Sequence, residues 1–106
     1  MRAALPEDKI DALDLCVIEL VSNVVNHGYR GKPGQIRVDL QFGDETMLVI
    51  TDSAPRFDPL SVPTPVVAKT IEDAAVGGLG VHLVRMNATR CAYEYKNGQN
   101  VFTAWL

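Results

Sequence analysis

Four prolines, Pro55, Pro59, Pro63 and Pro65, fall in the middle third of this 106-residue chain and limit what can be built around them. Each lacks a backbone donor and holds φ fixed. The stretch from Ser53 to Ala75 is therefore excluded from a sheet interior and from most of a helix. A connection this long within a compact domain is more often a functional loop or lid than a plain connector. A short helical piece around Ala68–Ala75 is all the regular structure it can be expected to hold. The rest of the fold has to come from the two flanks.

On the first flank, Pro6, Glu7 and Asp8 suit the first turn of a helix, where carboxylates meet the positive dipole end. Leu13, Val17, Leu20, Val21 and Val24 then fall on one face, and Glu19, Asn23, Asn26 and His27 share another. The helix is predicted to reach about His27, with Gly28 as its left-handed stop and Gly31 and Pro33 as further breakers. Next, Ile36, Val38, Leu40 and Phe42 alternate with Arg37, Asp39 and Gln41, the pattern of a half-buried strand. Gly43-Asp44-Glu45 turns the chain into Met47–Ile50, a more apolar strand antiparallel to the first.

On the second flank, Gly77-Gly78-Leu79-Gly80 opens a helix to about Asn87, with Leu79, Leu83 and Met86 inward. Strands over Arg90–Lys96 and Gln99–Leu106 follow, joined by Asn97-Gly98, the strongest two-residue hairpin signal. The order helix, two strands, loop, helix, two strands predicts an α+β two-layer sandwich. Its sheet is mixed, mostly antiparallel, with the helices on one face of a single domain, 1–106.

Composition narrows the function more by exclusion. A net charge of −3 gives no electrostatic reason to expect nucleic acid or an anionic membrane as partner. No apolar run approaches the roughly 20 residues of a membrane span, and Met1–Pro6 lacks the apolar core of a signal peptide. Cys16 and Cys91 have neither zinc nor disulfide-framework spacing, and read as buried thiols in a reducing cytoplasm.

Three motifs carry chemistry. Glu19-x-x-x-Asn23-x-x-x-His27-Gly28 puts a carboxylate, an amide and an imidazole on one ridge. Asp52 ends a strand, where rigid backbone aims it into a crevice, in Thr51-Asp52-Ser53-Ala54-Pro55-Arg56-Phe57-Asp58-Pro59. Gly77-Gly78-Leu79-Gly80-Val81-His82-Leu83-Val84 can bring free amides and a helix dipole to a phosphate. Singly these are a solvated face, an Asp at a turn and a flexible joint.

In this order and spacing, the three together resemble the ATP-binding domain shared by histidine kinases, gyrase, Hsp90 and the mismatch-repair MutL proteins, of Bergerat-type fold. The NHGY at residues 26–29, the FDP at 57–59 and the compact GGLGVHLVR at 77–85 resemble more narrowly the anti-sigma factor serine kinases of that superfamily. The resemblance runs from about Pro6 to Leu106. It implies Glu19 as the general base, Asn23 as the amide oxygen holding Mg²⁺, and His27 as a basic residue near the phosphates. It also implies Asp52 as acceptor for the adenine amino group, with Ala54 beside it. Gly78, Leu79 and Gly80 would lie along the triphosphate, under an ATP lid over about 53–76. The chemistry suits these residue types, because phosphoryl transfer asks for positioning, a metal and a placed base.

What the resemblance implies for function is an ATP-dependent serine protein kinase. It would phosphorylate a small antagonist of the STAS type, sequester a sigma factor, and work as a homodimer in the cytoplasm. The alternative is a non-catalytic nucleotide- or protein-binding module of the same fold. Two departures favour that alternative. Ala54 stands where the superfamily carries Gly two residues after the Asp, so a methyl group crowds the base. The chain also opens almost directly on the Glu/Asn helix, as in a shortened member or one whose start is placed too late. That is expected to leave an edge strand unpaired or an apolar surface uncovered.

Overall fold

A computed structural model describes residues 7–61 and 79–106. Pro6, residues 62–76 of the expected lid with the short helical piece at 68–75, Gly77 and Gly78 lie outside the described residues.

Helix α1 covers Glu7–Asn23, with Glu7 and Asp8 in its first turn. It does not continue as an α-helix to His27. Val24–Gly28 forms a wider π turn, closed by the Tyr29 amide donating to the Val24 carbonyl at 2.8 Å. Gly28 is not the left-handed stop, since that conformation falls to Arg30 (φ 55°) and Gly31 (φ 77°). What Gly28 provides is close approach. A Cβ there would sit 3.0 Å from the Ala54 Cβ.

Strands β1 (Ile36–Gln41), β2 (Met47–Asp52), β3 (Arg90–Lys96) and β4 (Gln99–Trp105) form one sheet in the order β1-β2-β4-β3. Every pairing is antiparallel, so among the described residues the sheet is antiparallel and not mixed. The β3–β4 hairpin turns through Asn97 and Gly98 at positive φ (53° and 75°), as an Asn-Gly type I′ turn requires. Helix α2 spans Leu79–Asn87.

The core lies between the helices and one sheet face. Cys16 and Leu20 of α1, Val84 of α2, Leu48 and Ile50 of β2, Phe102 and Ala104 of β4, and Leu106 are buried together. Leu13, Val17, Val21 and Val24 pack around them, as the helical spacing predicts. The inner side of α2 is different from the one expected. Val81 and Val84 are buried, while Met86 is 69% exposed. Strand β1 does not keep the predicted alternation of burial, since Asp39 is half-buried between exposed Val38 and Leu40, although the register Val38↔Ile50 and Leu40↔Leu48 puts both side chains on the core face. They nevertheless stay 42% and 41% exposed, because α1 and α2 sit over β2 and β4 and leave this edge uncovered. No helix among the described residues is long and apolar enough to cross a membrane.

Candidate functional site

Asp52 is the last residue of β2, on the same sheet face as Leu48 and Ile50, and is 6% exposed. A carboxylate this buried needs hydrogen bonds. Its Oδ1 accepts from the Ala54 amide at 3.0 Å and from Asn100 Nδ2 at 2.9 Å. Asn100 lies directly opposite in β4, in the register Asp52↔Asn100. Among the described residues no hydrogen bond reaches Oδ2. Among the described residues no buried side-chain oxygen or nitrogen lacks a partner.

Asn100 is the hub that the sequence reading missed. Nδ2 also faces the Ala54 carbonyl at 3.0 Å and the Pro55 carbonyl at 3.2 Å. Oδ1 accepts from the Phe57 amide at 3.1 Å and from the Tyr93 hydroxyl at 2.5 Å. A signal was present in the sequence. At period two, Asn100 falls in line with Phe102, Ala104 and Leu106, and a polar residue in an inward row has to find partners. Burial pushes the Tyr93 phenol above its ordinary range, keeping its proton available to donate, against a smaller opposing pull from the Phe57 amide.

Two cavities meet beside Asp52. A small one of about 30 Å³ is bounded by Leu20, Asn23, Asp52, Phe57, Tyr93 and Phe102, among others. An open groove of about 940 Å³ runs past Asn23, His27, Arg30, Lys32, Arg56 and Val81. Asn23 and Ala54 line both. The Ala54 methyl, 3% exposed, is turned against Gly28. Tyr29 ties the two loops of the groove together, its hydroxyl donating to the Gln35 carbonyl and accepting from the Ser53 amide.

Glu19 is half-buried on α1, and a Cβ on Gly80 would lie 2.5 Å from its Oε2. The carboxylate therefore rests on the first turn of α2, where the positive end of the helix dipole favours an anion. Leu79 opens that helix. His27 is exposed within the π turn and edges the open groove. Asn26 is exposed and lines neither cavity, so the expected polar ridge is broken there. Of the predicted residues, Asn23, Asp52 and Ala54 line the small cavity and Asn23, Ala54 and His27 the groove, while Glu19 and Gly80 rest against each other and line neither. Among the described residues no three His, Cys, Asp or Glu gather as a metal cluster. A metal here would have to share its coordination between the Asn23 amide, phosphate oxygens and water.

The arrangement can be set beside known proteins. Residues 1–105 match the family described as histidine kinase-like ATPase domain. The chain is 33% identical over 93 residues to serine/threonine-protein kinase BtrW of Bordetella bronchiseptica. That alignment takes in 86% of this chain and 66% of the relative, so the chain spans just under two thirds of that protein's length. No solved structure matches it.

Proposed function

The chain belongs to the histidine kinase-like ATPase domain family, and on that premise we propose that it is an ATP-dependent serine protein kinase of the anti-sigma type. It phosphorylates a STAS-type antagonist and sequesters a sigma factor, acting in the cytoplasm as a homodimer of single-domain chains. The observation that carries this reading is that α1, the segment after β2 and α2 meet at one groove, through Asn23, Ala54 and Val81. Glu19 rests against Gly80, Asn23 lines both cavities, and Asp52 lies buried at the end of β2. A kinase relative in sequence supports the same reading.

In this reading Asp52 accepts from the adenine amino group, an ionised carboxylate being the natural partner of a donor. Asn23 supplies the amide oxygen that would hold Mg²⁺, whose chemistry is to neutralise charge on the bridged phosphates. Val81 and His27 border the groove that would take the triphosphate, and the glycine at position 80 leaves room for the Glu19 carboxylate. Glu19 takes the proton from the substrate serine as its oxygen forms a bond to the terminal phosphorus and the bond to ADP breaks.

The test is nucleotide titration with and without Mg²⁺, run beside single-turnover phosphorylation of the antagonist. Glu19→Gln should reduce transfer by about 10²–10⁴-fold while leaving ATP affinity nearly unchanged. Asn23→Ala should lose Mg²⁺-dependent binding as well as turnover, and Asp52→Asn should weaken ATP. Wild-type-like turnover in Glu19→Gln removes Glu19 from the role. The cavity of about 30 Å³ over Asp52 favours a second reading, a non-catalytic binding module. Partner binding without any phosphorylation by the wild type would establish that one instead.

A further inference from the structure

The two cavities beside Asp52 are unequal in a way that matters for any ligand reaching it. The groove past His27 and Val81, about 940 Å³, is ample for a polyphosphate. The space over Asp52 is about 30 Å³, room for one or two waters. Pockets that take small molecules are on the order of 300–1,000 Å³. As folded, the phosphate end is open and the base end is shut.

The segment that shuts it is held at three points by Asn100. Asn100 Oδ1 accepts from the Phe57 amide and from Tyr93, while Nδ2 reaches the Ala54 and Pro55 carbonyls. An amide side chain has two N–H groups and one acceptor oxygen, so Asn100 is saturated. Arg56 lies over the Tyr95 ring, 5.6 Å from its centroid. Further along, Asp58 caps the Pro59–Ser61 turn through the Leu60 amide at 2.8 Å, with Pro59 buried and Leu60 packed on the core. The Asn100 bonds tie the 54–60 segment to β4, and the Tyr93 hydroxyl, which does not bond the segment itself, props Asn100 from β3. The bonds to Asn100 are neutral and few, the kind that a competing ligand can displace.

We propose that Asn100 and Tyr93 form a latch that holds residues 54–60 over Asp52, so that a purine base enters only when the latch opens. The proposal rests on the nucleotide reading of the site. Its consequence runs against the usual effect of cutting a hydrogen bond near a ligand. A protein whose competent state is populated to a fraction f binds with its intrinsic dissociation constant divided by f. Weakening the latch raises f and tightens binding.

Tyr93→Phe is the test, because it deletes one hydroxyl and keeps the ring. Calorimetric titration with Mg-ATP and with adenosine should show affinity rising about two- to ten-fold, the worth of one hydrogen bond. Inorganic tripolyphosphate, which needs only the open groove, should show no change. Without any nucleotide, exchange of the Phe57 amide should quicken in Tyr93→Phe. Equal or weaker ATP affinity in the variant, with the wild type binding normally, overturns the latch and leaves the nucleotide reading intact. An unchanged Phe57 exchange rate overturns the latch as well. No ATP binding by either protein overturns the nucleotide reading and the latch with it.

Discussion

Gly80 and Glu19 touch so closely that a methyl group on Gly80 would lie 2.5 Å from the Glu19 carboxylate oxygen. The neighbour at risk is the end of a flexible side chain, so Gly80→Ala should be cheap for folding. The helix gains about 1 kcal/mol of propensity from Ala, which offsets most of the clash. The displaced carboxylate, however, no longer sits where the proposed base is needed. We expect a melting temperature within a few degrees of wild type and phosphoryl transfer at least about tenfold slower. Unchanged transfer would show that the position of Glu19 over α2 is immaterial.

The same close-approach argument applies at the other end of the site. Ala54 is 3% exposed and meets Gly28, whose own Cβ, if present, would be 3.0 Å away. Ala54→Gly removes a methyl group that lines both cavities. Stability should fall by about 1–2 kcal/mol, from one buried carbon and a freer unfolded chain. ATP affinity should rise, because the space beside Asp52 grows. Urea unfolding and calorimetric titration of the same preparation measure both, and a fall in affinity would remove steric crowding by Ala54 as an explanation.

These contacts mark how far the sequence could be read. Alternation identified β1, an apolar run β2, and Asn97-Gly98 the β3–β4 hairpin with its own left-handed turn, because those signals depend on neighbours in the chain. The inner side of α2 was misread for a physical reason. Val81, Val84 and Ala88 form one helical row, and size alone favoured Met86, which is exposed, over it. On β1 the spacing said which residues share a face but not whether anything covers it, and Val38 and Leu40 stay open. Glu19, Asn23, Asp52 and Gly80 were legible as motifs. For Asn100 the inward row was legible but its partners were not, since they lie on a loop that folds back across more than forty residues.

Cys16 gives a prediction in pH. It is fully buried, and burial, with a smaller push from Cys91, raises its thiol to about 11. In the unfolded chain the thiol ionises near its ordinary value of 9.0. Above that value the unfolded state holds fewer protons than the folded one, so stability falls as pH rises from about 9 towards 11. The slope for one group is at most about 1.4 kcal/mol per pH unit. Cys91 and Tyr93 are shifted the same way and add to it. Cys16→Ala should be less stable at pH 8 by about 1 kcal/mol and lose part of the alkaline slope. Urea titrations at pH 8, 9.5 and 10.5 compare the two slopes, and identical slopes would discount Cys16.

The open side of β1 separates stability from association. Leu48 is fully buried, so Leu48→Ala should cost about 2–5 kcal/mol. Leu40, its partner across the strands, is 41% exposed and Val38 is 42% exposed. Replacing both with Lys should alter monomer stability by no more than about 1 kcal/mol, since exposed positions contribute little. Two apolar side chains on a strand that pairs on one side only among the described residues are nonetheless a surface that a second copy can cover. If the proposed homodimer forms there, sedimentation at low micromolar concentration should give a dimer for the wild type and a monomer for Val38→Lys with Leu40→Lys. A lysine on each copy would place like charges across a two-fold interface, where every unfavourable pair occurs twice. A dimer that survives both substitutions would locate the contact elsewhere, and a monomeric wild type would end the dimer proposal.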